Sequence, residues 1–332
     1  MERIPVTIIT GFLGSGKTTF INNLIKKYKD KKFAIIENEI GEIGIDGGLI
    51  VGVENNIFEL SNGCICCSIN NDFHKTINQL LESSNKFNHL LIETTGIADP
   101  DPIIQAFISS PKIQSHFILD SVIGVADAVN LEDMIDEQPE VRKQIALSDI
   151  ILLKQNRCCS KKYIGELLRL LKTINPTAKL FPVTFSDISS IDILETFSYS
   201  VKAVEKTTLS FQNLQLIRPE NESQSHNHQI KTEGLIIPGA FEYGKFMMWM
   251  QMYLFFNKNK ILRVKGIVSF LDEDERHIFH AVRSDFMVEK GNPWNDETRF
   301  SKLIFIGKHI DRDEIEDALY EQMQISESLE EE

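Results

Sequence analysis

The feature that most constrains this chain is the stretch "GFLGSGKT" at residues 11–18, which fits the pattern G-x-x-x-x-G-K-[ST]. It follows the apolar, β-branched run "VTIIT" and opens the amphipathic stretch "TTFINNLIKKY", so it lies between a predicted strand and a predicted helix. Glycines let such a loop turn its backbone N–H groups inward around an anion, and the helix N-terminus adds partial positive charge. The pattern therefore predicts a phosphate-binding loop, in which Lys17 reaches the β- and γ-phosphates and the Thr18 hydroxyl ligates Mg²⁺.

Short apolar runs recur through the first 185 residues, and longer amphipathic stretches separate most of them. The runs include "FAIIE", "HLLIE" and "DIILL", and the amphipathic stretches include "DFHKTINQLLESS". Strands that are buried on both faces and alternate with helices are typical of a mostly parallel sheet. We therefore predict an α/β fold, the parallel sheet of a P-loop NTPase with helices on both faces.

The pattern changes after about residue 205. The stretch "RPENESQSHNHQ" is polar and predicts a linker or an exposed loop. Beyond it, runs such as "ILRVKGIVSFL" and "SKLIFIG" follow one another without helices between them, which predicts antiparallel strands in a smaller α+β domain. The predicted order is a nucleotide-binding domain that includes the cysteine cluster, a linker, a C-terminal domain and an acidic tail, at residues 1–204, 205–235, 236–325 and 326–332.

The charge of the chain and its apolar windows argue against two classes of partner. The 332 residues carry a formal net charge of −13 and no long run of Lys or Arg, so nucleic-acid binding is not expected. The most apolar window, "MMWMQMYLFF", has about half the length needed to span a membrane, and the first residues do not resemble a signal peptide. We therefore expect a cytoplasmic protein, in whose reducing surroundings clustered cysteines more often bind metal or take part in chemistry than form disulfides.

A second acidic residue is expected near the phosphate loop, at the end of another strand. The stretch "HLLIETTG" offers Glu93 for this position beside Mg²⁺, and Gly96, whose backbone N–H is placed to sense a γ-phosphate. The alternative for Glu93 is a solvated acid at a strand end. The candidate catalytic residues are thus Lys17, Thr18 and Glu93.

Three of the five cysteines lie within four residues, in the stretch "SNGCICCSIN". Cys64, Cys66 and Cys67 offer thiolates, which are soft ligands that select Zn²⁺, Cu(I) or iron–sulfur chemistry over Mg²⁺. Three protein ligands leave a tetrahedral Zn²⁺ one position short, and an incomplete set suits an ion that is meant to move. The alternative is that the three thiols are small buried hydrophobes. The candidates for the missing ligand are Glu39, Glu42, His74, water and a residue of a client protein.

The phosphate loop, "ENEIGEIGID", "GCICC" and "ETTGIADP" occur in this order, and together they resemble the CobW-type metallochaperone GTPases. The later "RVKG", "PW" and "LIFIG" resemble the C-terminal domain of that family, so the resemblance runs from about residue 4 to about residue 323. It implies a G domain coupled to a smaller domain, in which the GTP state controls the capture of Zn²⁺ or a similar metal and its delivery to a client metalloprotein. The expected reaction is slow hydrolysis of the nucleoside triphosphate by water.

The resemblance also implies roles for the residues that match the family's motifs. Glu39 and Glu42 fall in its switch-like segment after the second strand, and Glu93 matches its acid beside Mg²⁺. The metal motif is matched by Cys64, Cys66 and Cys67. The phosphate and Mg²⁺ contacts are matched by Gly14, Ser15, Gly16, Lys17, Thr18 and Thr19, to which the loop pattern adds Gly11. If Glu39 or Glu42 is a metal ligand, metal coordination and nucleotide sensing share one loop.

The chain departs from the family at the loop that recognises guanine. GTPases use N-K-x-D after a strand, and the Asp carboxylate accepts two hydrogen bonds from the base. After the strand "DIILL" this chain has Lys154, Gln155, Asn156 and Arg157, and a shift of two residues places Cys159 where the Asp is needed. Neither register supplies the carboxylate, although a bidentate base contact is typically worth about 1–3 kcal/mol of discrimination.

Three interpretations of this loop are open. GTP binds through the phosphate loop with reduced selectivity, ATP or another nucleotide is accepted, or nucleotide binding is lost and a metal-binding module remains. The first is favoured because Lys17, Thr18 and Glu93 are all present, and Gln155 and Asn156 are then the candidate base contacts. A P-loop kinase of small molecules would need an acceptor site and arginines on a closing lid, and the sequence marks neither.

Two further groups of residues have less specific patterns. His226 and His228 lie in the polar linker, where a solvated loop is favoured over an exposed metal site. Trp249, Trp294 and the methionines of residues 247–252 are interpreted as core. The alternative for this second group is a client-docking face, because methionine-rich surfaces adapt to partners.

Overall fold

The computed structural model divides the chain into two compact units. The first unit runs to Lys172 and resumes from Ala178 to Phe197, and the second comprises Thr173–Thr177 and the chain from Ser198 onward. The ranges that the structure describes are 3–39, 57–63, 69–82, 87–155, 159–184, 187–210 and 230–327. None of the helices in these ranges combines the length and the apolar composition that crossing a bilayer requires.

The first unit is built on a seven-stranded sheet. Its strands are β1 (Ile4–Thr10), β2 (Phe33–Glu39), β3 (Ile57–Gly63), β4 (His89–Glu93), β5 (Phe117–Asp127), β6 (Ile150–Gln155) and β7 (Lys179–Thr184). They lie in the order β3-β2-β4-β1-β5-β6-β7, and every neighbouring pair is parallel. Because the strands are parallel, their carboxyl ends share one edge of the sheet, and the loops that follow them meet there.

Helices cover both faces of this sheet. They are α1 (Lys17–Lys27), α2 (Ile69–Glu82), α3 (Asp101–Ser109), α4 (Pro111–Gln114), α5 (Leu131–Glu137), α6 (Pro139–Leu147) and α7 (Lys161–Ile174). On one face, Phe20 and Leu24 of α1 share a core cluster with Val125 of β5. On the other face, Gly124 lies against Ser148, the residue that follows α6, so closely that an added Cβ would come within 2.5 Å of its hydroxyl oxygen. Successive residues of a strand point to opposite faces, so this arrangement confirms the predicted α/β fold.

The second unit contains a five-stranded antiparallel sheet. Its elements are α8 (Val201–Ser210), β8 (Ile230–Pro238), α9 (Tyr243–Phe256), β9 (Ile261–Val268), β10 (Glu275–Val282), β11 (Asp285–Pro293), β12 (Phe300–Lys308) and α10 (Arg312–Glu327). The strand order is β11-β10-β9-β12-β8. Phe246 of α9 and Leu319 of α10 pack on one face with Val264, whereas Val204 of α8 packs on the other with Ile267. This unit is the α+β arrangement expected from the sequence.

Two sequence interpretations differ in detail from the structure. Residues 205–235, interpreted as a linker, include most of α8 and the first residues of β8, because Val204 of α8 and Leu235 of β8 are buried and bring these stretches into the unit. His226 and His228 lie outside the described residues. Trp294 is buried, which confirms its core assignment, but the methionines of α9 divide between core and surface.

Candidate nucleotide and metal site

The phosphate loop connects β1 to α1, as predicted. Gly11, Gly14 and Gly16 have φ values of 142°, 73° and 97°, in the region that favours glycine. At Gly11 a Cβ would also lie 2.2 Å from the Val125 carbonyl oxygen, so the neighbouring strand leaves no room for a side chain. The Ser15 hydroxyl is buried and has no hydrogen-bond partner among the described residues, which fits a group that binds a phosphate oxygen.

Lys17 lies at the first position of α1 with its ammonium group turned back onto the loop. Its Nζ donates to the carbonyl oxygens of Gly11 at 2.9 Å and Phe12 at 3.4 Å. Burial lowers the pKa of Lys17, and the negative charge of Glu93 opposes that effect. The two predicted catalytic side chains are therefore close enough to interact through their charges. Thr18 is partly buried and Thr19 is exposed on the first turn of the same helix.

The loop after β4 packs directly on the phosphate loop. Glu93 is the register partner of Ile9 in β1, and the Thr94 N–H donates to the Ile9 carbonyl oxygen at 2.9 Å. A Cβ on Gly96 would lie 2.5 Å from the backbone nitrogen of Leu13. The structure therefore places Glu93 and Gly96 beside the predicted phosphate loop, and at position 96 only a glycine allows this approach.

Gln144 is a residue of this site that the sequence did not indicate. Its side-chain Nε2 donates to the carbonyl oxygens of Gly96 at 3.1 Å and Ala98 at 3.2 Å, and the side chain is buried. Through these two hydrogen bonds, α6 holds the loop after β4 in place. No local pattern marks a single glutamine in "PEVRKQIAL", because its role depends on the packing of α6 over a loop 46 to 48 residues earlier.

The end of β6, where the sequence predicts the contacts with the nucleotide base, carries an ion pair. The Nζ of Lys154, which stands in the first position of the expected N-K-x-D, lies 2.8 Å from Oδ2 of Asp127 at the end of β5. Gln155 is the register partner of Thr184 in β7, and its Nε2 lies 3.5 Å from the threonine hydroxyl. Asn156 lies outside the described residues. Asp127 is a second residue that the sequence did not single out, because its pairing with Lys154 depends on β5 and β6 being neighbours.

The strands that precede the predicted metal motif and the predicted switch-like segment end at the same edge of the sheet as β1, which leads into the phosphate loop. In the parallel register, Glu39 at the end of β2 pairs with Gly63 at the end of β3, and Glu37 pairs with Glu93 of β4. Cys64 follows Gly63 directly in the sequence. Neighbouring strands lie about 4.8 Å apart, so three strand spacings, about 14 Å, separate the ends of β3 and β1.

The residues predicted as metal ligands fall outside the described part of the chain. This applies to Glu42, Cys64, Cys66, Cys67 and the side chains of Glu39 and His74. Among the residues that are described, no three His, Cys, Asp or Glu side chains are grouped as a metal ion would need. Cys159 is a free thiol that is partly exposed.

Two family models match the chain. The model described as the CobW/HypB/UreG nucleotide-binding domain covers residues 5–182, and the model described as the cobalamin synthesis protein CobW C-terminal domain covers residues 234–322.

Full-length relatives are also similar. The zinc chaperone YjiA of Escherichia coli is 31% identical over 95% of this chain and 97% of its own length. The zinc-regulated GTPase metalloprotein activator 1 of Schizosaccharomyces pombe is 27% identical over 94% and 84% of the two chains. The crystal structure of the Zn(II)-bound YjiA GTPase from E. coli superposes with a TM-score of 0.71 at 26% identity, covering 97% of this chain and 99% of that one.

Proposed function

Because the chain belongs to the CobW/HypB/UreG family, we propose that it is a GTP-hydrolysing metallochaperone that takes up Zn²⁺ at its C-x-C-C motif and passes it to a client metalloprotein. Relatives that match nearly its whole length are named as a zinc chaperone and as a zinc-regulated GTPase activator of metalloproteins. We assign nucleotide and metal binding to the first unit, and we expect the protein to work in the cytoplasm.

The observation that supports this proposal best is the order of the strands at the carboxyl edge of the first sheet. Four neighbouring strands, β3, β2, β4 and β1, end beside one another. They lead respectively into the cysteine motif, the switch-like segment, the Glu93 loop and the phosphate loop. The strand that leads into the switch-like segment thus lies between the strands that lead into the phosphate loop and the cysteine motif, and we expect a change at one site to reach the other over a short distance.

Hydrolysis depends on groups that hold and neutralise the phosphates. The loop N–H groups from Gly14 to Thr19 and the Ser15 hydroxyl surround the phosphate oxygens, and Lys17 exchanges its loop carbonyls for the β- and γ-phosphates. The Thr18 hydroxyl and the Glu93 carboxylate are hard oxygen donors of the kind that Mg²⁺ prefers, and they are the residues that would hold it. Mg²⁺ supplies charge neutralisation on the phosphate oxygens. The Gly96 N–H, held near the loop through Gln144, senses the γ-phosphate.

The cargo site is proposed to consist of Cys64, Cys66 and Cys67, with Glu39 or Glu42 as the further ligand. Three thiolates and one carboxylate form a tetrahedral set for Zn²⁺, and the carboxylate is the ligand most easily exchanged for a client residue. The register supports a place for Glu39 in this set, because its backbone lies beside Gly63, one residue before the motif. A shift of the switch-like segment on hydrolysis would withdraw the carboxylate and release the ion.

Base selectivity is proposed to be reduced rather than lost. Lys154 is held by Asp127, and no carboxylate stands where N-K-x-D would place one. GTP then binds mainly through its phosphates, with Gln155 and Asn156 as the nearest base contacts. Guanine remains the preferred base, and ATP or other nucleotides are discriminated against only weakly.

Phosphate release without any added acceptor tests the proposal. We expect wild-type protein to release phosphate from GTP slowly and to do so faster with Zn²⁺. Replacing Glu39 and Glu42 together by alanine should weaken Zn²⁺ binding and remove the response to Zn²⁺, while GTP binding is retained. The control is the double change Glu82→Ala and Glu137→Ala, which removes two exposed helical acids and should alter neither quantity.

Two results would count against the proposal. Unchanged metal affinity and unchanged Zn²⁺ response in the Glu39/Glu42 variant would exclude the shared loop. Zn²⁺ binding with no nucleotide binding would favour the alternative, a metal-binding protein with little turnover.

A further inference from the structure

Helix α9 presents a second apolar face in addition to the one that the core uses. Phe246, Met250 and Leu254 are fully buried and belong to the core cluster of the second unit. The opposite side is also apolar, since Met248, Met252, Phe255 and Phe256 are 63%, 54%, 57% and 73% exposed. These four residues are called the outer face of α9 below. A surface helix normally carries polar residues there, so the outer face is not explained by folding.

The outer face has the geometry of a helix-docking stripe. Its residues follow one another at spacings of four, three and one along α9, which places them on one side over about 12 Å, or two helical turns. Trp249 and Tyr253 border this stripe with stacked rings whose centroids are 5.1 Å apart. Unbranched methionines adapt their shape to a partner, and the aromatic residues supply large rigid contact area.

The charges along α9 and the residues that follow it are positive. From Tyr243 to Leu271 the sequence contains no Asp or Glu, although the whole chain has a net charge of −13 and the N-cap residue Glu242 places one carboxylate before the helix. Lys258 lies with its Nζ 5.2 Å from the centre of the Phe255 ring, and Arg283 donates to the Lys258 carbonyl oxygen at 3.1 Å. Lys260 is exposed at the same end, and Lys245 lies on the first turn of α9. An apolar stripe with lysines at both ends complements an apolar segment that carries carboxylates.

Two acidic residues near the start of α10 lie close to Tyr253 of α9. Burial raises the pKa of Tyr253, and the negative charges of Glu314 and Asp311 raise it further. Tyr253 belongs to the half-buried flank of α9. The two acidic residues therefore place negative charge on the flank toward α10, whereas Lys245, Lys258 and Lys260 lie at the two ends of the outer face.

We propose that the outer face of α9 docks an acidic amphipathic helix of a partner protein. Apolar residues of that helix at i, i+3 or i+4, and i+7 cover the methionines and phenylalanines, and its carboxylates meet Lys245 and Lys258. A second copy of this chain would place the same positive border against itself in a symmetric contact, which opposes such pairing. Docking requires neither nucleotide nor metal, so it stands independently of the proposed function.

A displayed library of random 16-residue peptides, selected on the full-length protein without nucleotide, tests this inference. The expected enriched peptides are acidic and carry apolar residues at helical spacing. Binding of a dye-labelled enriched peptide is then measured by fluorescence anisotropy. Met252→Glu and Lys258→Glu should each weaken it about 10-fold or more, because the first places a carboxylate within the apolar stripe and the second reverses a charge that meets the acidic peptide.

Two matched controls use exposed residues away from the stripe. Tyr320→Glu changes an exposed aromatic residue of α10, and Lys162→Glu reverses an exposed lysine of α7. Both should leave the peptide affinity within about twofold of wild type, because surface positions outside the contact contribute little. All four positions are solvent-exposed or at the surface, so unfolding temperatures should stay close to wild type.

Several outcomes would overturn the inference. They are enrichment of no peptide, enrichment of basic peptides, or binding that survives both Met252→Glu and Lys258→Glu. Sedimentation that shows self-association of the wild type, abolished by Met252→Glu, would assign the face to a second copy. Binding to vesicles rich in phosphatidylserine, abolished by the same change, would assign it to a membrane surface.

Discussion

The phosphate end and the base end of the proposed nucleotide site differ in the contacts that determine their structure. At the phosphate end, the backbone is constrained by contacts with neighbouring strands, as Gly11 against Val125 and Gly96 against Leu13 show. At the base end, recognition depends on a few side chains at the end of β6, and there Lys154 is engaged with Asp127. Side chains at a strand end can change without disturbing the sheet. Phosphate binding is therefore the more strongly determined property, and base selection is the more easily altered one.

The largest effect is expected from Lys17→Ala, which removes the only side-chain cation of the phosphate loop. Phosphate release should fall about 100-fold to 1000-fold, because a preorganised charge aimed at the reacting phosphate is lost. Lys26→Ala, an exposed lysine on the same helix, is the control and should leave the rate unchanged. A rate for Lys17→Ala near that of wild type would mean that the phosphate end does not work as described.

The next effect is expected from Gly96→Ala, since the new Cβ would lie 2.5 Å from the Leu13 backbone nitrogen. The loop after β4 must move away from the phosphate loop, and a displacement of about 1 Å can cost roughly 100-fold in rate. Single-turnover hydrolysis measures this loss. Gly165→Ala serves as the control, because no atom lies within 4 Å of the added methyl group there. Equal rates for both variants would argue against a role for this contact.

A smaller gain is expected at the base end when the family pattern is restored. The triple change Lys154→Asn, Gln155→Lys and Arg157→Asp supplies the carboxylate for guanine, and the ratio of GTP to ATP affinity should rise about 10-fold. Calorimetric titration with both nucleotides measures the ratio. Lys154→Met breaks the ion pair with Asp127 without adding a guanine contact, so it should produce no such gain. A gain in that control would assign selectivity to the ion pair itself.

The smallest effect on nucleotide binding is expected from a change at Asp120, which lies in β5 of the sheet that supports both ends of the site. Burial raises the pKa of Asp120 to about 6, against hydrogen bonds donated by the N–H groups of Glu195 and Phe197. A carboxyl whose folded pKa is raised binds its proton more tightly in the folded state, so stability falls as pH rises from about 4 to 6.

Urea unfolding between pH 4 and pH 8 checks the sign of this effect. The unfolding free energy of wild type minus that of Asp120→Asn should fall by about 2–3 kcal/mol as pH rises through this window, and then level off. Nucleotide affinity at a fixed pH of 7 should differ by less than about twofold between the two proteins, because Asp120 contacts neither end of the site. A difference that rises with pH would mean that Asp120 is ionised in the folded state well below pH 6.

From the sequence we could predict the features that depend on residues adjacent in the chain. The alternation of strands and helices follows from local patterns, and the structure confirms it. The structure also places the predicted phosphate loop between β1 and α1 and the Glu93 loop beside it. Gln144 and Asp127 could not be found in this way, since each acts on a residue that the fold brings near from a distant part of the chain. The methionines of α9 show the same limit, because composition alone does not say which side of a wholly apolar helix faces the core.

A binding titration of GTP, ATP and XTP, each with and without Zn²⁺, tests the proposed nucleotide and metal sites together. All three nucleotides should bind through the phosphate loop, and GTP should be preferred over ATP by about 10-fold or less. XTP should bind about as well as GTP, because the carboxylate that would distinguish them is not encoded in the N-K-x-D position. Zn²⁺ should raise each affinity, because the two sites share one edge of the sheet. Affinities that are the same with and without Zn²⁺ would contradict the coupling, and strong selection of GTP over both other nucleotides would contradict the difference between the two ends.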